Sequence, residues 1–257
     1  MNVWDRSQLE LAFAMNPSVQ SGELQPQDLV WTKLSYVLGQ NRPTSKLMSA
    51  VVNLVAQKMI FDEMWDTPFG EMISTLDGGS IMAEGYEEMA KNLNDGNARH
   101  ADEIRTFGDA FDAEAKSAAW RVREEGVLHE MIRIAQAAGL TVPAMTEVEK
   151  AQLVEMARRG AGLALALRSP VAIDKMRTLY VTALFHASIR WDRGTNVTAN
   201  DLFDLEHAAA AVGYFDLFFT ERKLHARLTR KEVAADLLYG CKVASSPQVA
   251  LDLLLAL

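Results

Sequence analysis

Residues 200–221 read NDLFDLEHAAAAVGYFDLFFTE, and their interpretation decides the fold. Two carboxylates, Asp201 and Asp204, stand three positions apart at the start, and on a helix such positions share a face. An alanine-rich helical run follows, and Gly213 breaks it. The aromatic segment 215–219 then reads as a short strand that delivers Thr220 and Glu221 at its end. A helix packed beside that strand brings Glu221 to the two aspartates. Three or four acids converging at a sheet edge suit a hard divalent cation, which binds through oxygen ligands.

Beyond Glu221 the charge changes sign. Arg222, Lys223, Arg227, Arg230 and Lys231 follow with no acid among them. Between residues 175 and 242 there are ten Lys or Arg against eight Asp or Glu, so this window carries +2 and the remainder −10 of a net −8. The overall sign argues against broad adhesion to nucleic acid. The local run reads either as a solvated helix face or as a phosphate-tracking patch beside the acids.

From residue 171 onward the pattern alternates: helix to Trp191, the Asp201 helix, the 215–219 strand, a basic helix, the CKVASS strand and a helix opened by Pro247. Such alternation predicts parallel strands joined by crossover helices, with ligands outside the carboxyl ends of the strands. Thr220 and Glu221 fall at that end. At the other terminus MNVW reads as an opening strand with Asp5 just beyond it, followed by a helix from Gln8 to Met15. Between these regions helix dominates, although 17–26 reads as a loop, 29–38 as either strand or helix, 45–56 as a helix, KMIF at 58–61 as a strand and 77–80 as a loop. A long helix is expected over 98–138, where Ile104, Phe107, Phe111, Ala115, Ala118 and Val122 step by three or four. Thr146-x-x-Glu149 is a capping box for the next helix. Residues 84–167 are therefore expected to be helical throughout and to form a subdomain or insertion packed on the sheet.

The C-terminal third resembles PIN-like nuclease domains. The resemblance rests on Asp204 opening an alanine-rich helix sixteen residues before Thr220, on the Thr-plus-acid strand end, and on GCKVASSPQVALDLL as closing strand and helix. It covers 171–257 well and 1–60 weakly. It implies an α/β fold with a parallel sheet flanked by helices and a helical middle insertion, in a single domain. It also implies a divalent-metal-dependent ribonuclease, a toxin or an RNA-processing or defence enzyme, acting on an RNA substrate. Asp5, Asp204 and Glu221, with Asp201 one turn earlier, would hold Mg²⁺ or Mn²⁺. The metal would lower the pKa of a bound water and offset charge on the scissile phosphate, while Arg222, Lys223 and Arg227 would grip flanking phosphates. Two departures support an alternative, a catalytically weakened PIN-like module that binds RNA or protein. Lys33 stands where the family offers an early acid, leaving Asp28 nearby, and Glu221-Arg222 replaces an acid one position later. A homo-oligomer or a protein partner docked on the insertion would fit this alternative.

Simpler roles stand beside the metal roles. Asp201 also reads as a helix cap, Asp216 as a buried partner of Tyr214 or His207, and His207 as a histidine packed against a carboxylate. No HExxH, GxGxxG, Walker or GxSxG pattern is present. At 257 residues and 49% hydrophobic content the chain can bury a full core. Its single cysteine, Cys241, leaves no internal disulfide, and no apolar run has the length to cross a bilayer. With no secretory signal pattern at MNVWDRSQ, a cytoplasmic protein is expected.

Overall fold

A computed structural model describes residues 3–15, 79–122, 124–137, 141 and 144–256. Residues 177–191, RTLYVTALFHASIRW, carry apolar or small side chains on every side. The helix they form, α7 (Arg177–Trp191), is buried from Thr178 through Ile189, as a helix apolar all round must be. Helices α3 (Phe107–Trp120) and α8 (Ala199–Val212) pack on it, α5 (Glu147–Ala166) packs on α3, and α2 (Gly79–Arg99) packs on α8. Helix α1 (Val3–Ala14) runs along α4 (Glu124–Ala137) and reaches α7, α8 and the short α6 (Pro170–Lys175). One hydrophobic core joins them, from Leu11 through Phe111, Leu165 and Phe185 to Leu228.

The sheet is small. Strand β1 (Leu217–Phe219) lies parallel to β2 (Lys242–Ala244), with Leu217 opposite Lys242 and Phe219 opposite Ala244. Two short helices, α9 (Arg222–Leu228) and α10 (Ala235–Tyr239), make the crossover, and α11 (Pro247–Leu255) follows β2. The described chain is thus mostly helical with a two-stranded parallel sheet, broadly α/β. The alternation expected in the last third is present, and the strand expected over 215–219 is three residues long.

Three sequence expectations need correction. Val3 and Trp4 of the expected strand are helical: α1 begins at Val3, five residues ahead of the expected start, and Asp5 sits in its first turn. Residues 6–13 are buried without a break, including Arg6, Ser7, Gln8 and Glu10, so the segment is held by helix packing instead of a ladder. The region expected as one helix over 98–138 holds the end of α2, a 3-10 turn at Ala101–Glu103, and then α3 and α4. The Ile104-to-Val122 stripe is buried as expected except for half-buried Phe107, but Arg158 captures the Val122 carbonyl through Nε at 3.0 Å and Nη2 at 2.5 Å. The helix from Pro170 to Trp191 is likewise divided, at Met176. Residues 79–122, 124–137 and 144–167 contain helix and no strand among the described residues, and these helices share their core with α7. The Thr146–Glu149 capping box forms as expected. Lys33, Asp28 and the elements expected between 16 and 78 lie outside the described residues.

Two buried acids tie distant segments. The N-cap position of α7, Met176, supplies no side-chain bond. Glu10 of α1 takes that role: both its oxygens accept from the Thr178 N–H at 2.9 Å, and Oε2 also accepts from Leu179 N–H at 3.4 Å. The Tyr214 hydroxyl donates to Glu10 Oε1. Glu114 of α3 pairs with Arg190 Nη2 of α7 at 2.6 Å. Beside them His186, driven down to about 3 by burial and by Arg121 and Arg190, stays neutral.

Close approach fixes one glycine. A Cβ on Gly126 of α4 would lie 1.5 Å from Oε1 of buried Gln8. Gly126→Ala is therefore expected to cost about 1–3 kcal/mol through forced repacking. Combining it with Gln8→Ala should recover most of that loss in a urea-denaturation cycle. Additive effects would show that the α1–α4 contact is looser than this. A second expectation concerns Ala234, whose φ of 41° lies in the left-handed region. Glycine avoids the Cβ clash there, so Ala234→Gly should stabilise by about 1 kcal/mol. A lowered urea midpoint would contradict it.

Candidate functional site

Helix α8 starts with reciprocal capping. Thr198 Oγ1 accepts from the Asp201 N–H at 3.2 Å, while Asp201 Oδ2 accepts from the Thr198 N–H at 2.9 Å and its hydroxyl at 2.8 Å. Thr198 is the N-cap, and Asp201, expected as the cap itself, is its N3 partner in a capping box. The other Asp201 oxygen, Oδ1, receives the Lys223 ammonium from α9. Burial pushes the Asp201 carboxyl upward, but the bonds from Lys223 and Thr198 outweigh it and hold the group below its usual range. That pairing contributes stability above about pH 4, the unfolded value, and is lost as pH falls through the lower folded pKa.

Asp204 lies one turn along α8 and accepts from Asn200 Nδ2 at 3.3 Å. Glu221 occupies the N-cap position of α9, at the carboxyl end of β1, and is exposed with no side-chain capping bond. Asp201, Asp204 and Glu221 line one cleft together with Lys223, Leu224 and Arg227. Its free space admits about one water molecule. Arg227 is half-buried; its Nη1 is enclosed and makes no hydrogen bond. Burial lowers the Arg227 pKa, with Asp201 and Asp192 opposing.

Three of the four acids expected from sequence are therefore brought to one place. Asp5 is on α1, and its side chain lies outside the described residues. Its neighbour Arg6 lies 4.6 Å over the Tyr214 ring. Tyr214 follows α8, about 15 Å in helical rise beyond Asp204. The strand end that was to carry Asp5 to Asp204 does not exist. Of the basic residues, Lys223 is spent on Asp201, and Arg230 is shared by Asp192 at 3.6 Å and Glu232 at 3.2 Å. Exposed Arg222 and Lys231 make no ion pair among the described residues.

The remaining candidates have other partners. Asp216 is exposed, and its carbonyl accepts from the Lys242 N–H at 2.8 Å; the acid bound by Tyr214 is Glu10. His207 packs edge-on against Phe203, with ring centres 4.4 Å apart. Thr220 continues the ladder through its N–H to Ala244 O at 2.9 Å. Lys223, expected as a phosphate grip, is instead bound to Asp201 across 22 positions, and no local pattern announces that bond.

Among the described residues no group of three or more His, Cys, Asp or Glu side chains is placed to hold a metal ion. An ammonium already sits on Asp201, in a cleft of one water's width. No helix among the described residues is long and apolar enough to cross a membrane. Comparison with protein-family models, curated proteins and solved structures gives no match to this chain.

Proposed function

We propose that this chain is a PIN-like α/β module that binds RNA beside β1 and does not cleave it. The observation that carries this reading is the Lys223 ammonium on Asp201, which puts a covalently tethered cation where the sequence pattern leads one to expect a divalent ion. A lysine neutralises an aspartate but supplies neither a Lewis acid nor an acidified water. The basic face around it is suited to phosphate contacts: Arg222 is exposed and makes no ion pair among the described residues, and half-buried Arg227 lines the cleft. PIN-like topology is supported by the parallel β1–β2 pair, its helical crossover and the acids at the carboxyl end of β1.

One observation favours a second reading, the metal-dependent ribonuclease. Asp201, Asp204 and Glu221 come from two segments and still share a cleft. A labelled single-stranded RNA panel separates the two. Binding by fluorescence anisotropy without cleavage in Mg²⁺ or Mn²⁺ is expected. Divalent-dependent cleavage that disappears in Asp204→Asn would reverse the conclusion in favour of the nuclease.

A further inference from the structure

A second groove, of about 370 Å³, opens between the α5–α6 junction, α7 and α10. Its wall is apolar: Phe107 and Leu184 line it, as do Leu237 and Leu238, whose side chains are otherwise uncovered at 80% and 38% exposure. Three residues whose polar groups make no hydrogen bond or ion pair among the described residues line the same space. Tyr180 is only 5% exposed, yet it lines the groove and its hydroxyl has no hydrogen-bond partner among the described residues. The Arg168 guanidinium stacks over the Phe111 ring at 4.8 Å and makes no hydrogen bond or ion pair there. Lys231 is exposed and also unpaired. The acid of the groove, Glu232, is occupied by Arg230 at 3.2 Å.

The backbone adds a second line of support. Arg168 N–H bonds Leu165 O at 2.9 Å and Ser169 N–H bonds Ala164 O at 3.0 Å, which closes α5 with a Schellman turn. The left-handed position of that turn favours glycine, and here arginine occupies it at φ 49°. The other non-glycine residue with positive φ among the described residues, Ala234, lines the same groove. Strained positions of this kind gather at ligand sites. An arginine kept where glycine would close the helix at lower cost is accounted for by what its guanidinium faces.

We infer that this groove binds a small amphipathic anion, an apolar body carrying one phosphate or carboxylate. The body would lie on Phe107, Leu237 and Leu238, and the anionic head would meet Arg168, Lys231 and the Tyr180 hydroxyl. All three are donors, and charge-assisted bonds from arginine and lysine favour an anion over a neutral head. The inference does not depend on RNA binding, because groove and cleft have separate linings.

The test is calorimetric titration of the full chain with octyl phosphate, octanoate and octanol, which share an apolar body and differ in the head. Octyl phosphate or octanoate is expected to bind at least about tenfold more tightly than octanol, and the stronger of the two identifies the head. Arg168→Gly keeps the Schellman turn and relieves its strain, so it should fold with an unchanged or raised thermal midpoint while losing anion affinity about tenfold. Lys231→Gln and Tyr180→Phe, which leave that turn intact, should each weaken the anion and leave octanol unaffected. They carry the test if Arg168→Gly unfolds. Equal affinity for all three probes, no binding of any, or anion affinity undiminished in Lys231→Gln and Tyr180→Phe would overturn the proposal.

Discussion

Glu10→Ala is expected to destabilise the protein by about 3–5 kcal/mol, a large share of the stability of a domain this size. The residue is fully buried, and every polar contact it makes is one it accepts. Removing it orphans the Thr178 and Leu179 N–H groups at the start of α7 and the Tyr214 hydroxyl. It also takes the nearby carboxylate away from Arg6, which is stacked on Tyr214. Each stranded donor costs roughly 1–3 kcal/mol because water cannot replace the lost partner. Glu10→Gln keeps a carbonyl acceptor and should cost about 1–2 kcal/mol. The two variants also differ from wild type in pH response. Burial raises the Glu10 carboxyl above its ordinary value, against the donors of Tyr214 and Thr178 and the charge of Arg6. A group whose folded pKa is raised stabilises fully below its unfolded pKa, about 4.3, and that contribution is lost as pH rises through the folded value. Glu10→Gln should remove this component of the pH dependence. Urea midpoints measured between pH 4 and 8 check both points; an alanine variant within about 1 kcal/mol of wild type would mean that water reaches the α7 terminus.

Local signals carried the sequence reading furthest. Thr146-x-x-Glu149 and the Ile104–Val122 stripe are patterns of neighbours, and both hold in the structure. The parallel pairing of 217–219 with 242–244 was legible from the helix–strand alternation, as was the shared cleft of Asp201, Asp204 and Glu221. What failed depended on contacts across the chain. Past Trp120 the chain is bound by Arg158, which reaches the Val122 carbonyl from 36 positions away. The capping of α7 is supplied from Glu10, 168 positions from Thr178, so nothing near Met176 could announce it. MNVW is apolar at Val3 and Trp4, and so short a run fits either period. Its helical state is settled by burial of the residues that follow. The cation inside the cleft was hidden for the same reason: the sequence shows Lys223 close to Glu221 but not its reach to Asp201.

Arg222→Ala/Arg227→Ala is expected to weaken single-stranded RNA binding about a hundredfold, or roughly 2.7 kcal/mol. Each phosphate contact on a single strand releases about 0.7 of a counterion, so the slope of log affinity against log salt should fall by about 1.4 for the pair. Lys223 should behave differently, because its charge is already spent on Asp201. Lys223→Ala removes one positive charge and uncovers a carboxylate only 15% exposed, beside the path of the phosphates. The expected loss, about tenfold, arises mainly from that uncovered charge, so Lys223→Ala/Asp201→Asn should regain most of the affinity. The asparagine side chain would keep an acceptor for the Thr198 cap, so the start of α8 survives. The cycle thus separates a lysine that grips RNA from one that guards an aspartate. Anisotropy titrations at several salt concentrations read both quantities together. If Lys223→Ala flattens the salt slope as Arg222→Ala does and Asp201→Asn restores nothing, Lys223 is itself a phosphate contact, and the acid cleft loses its internal cation whenever RNA is bound.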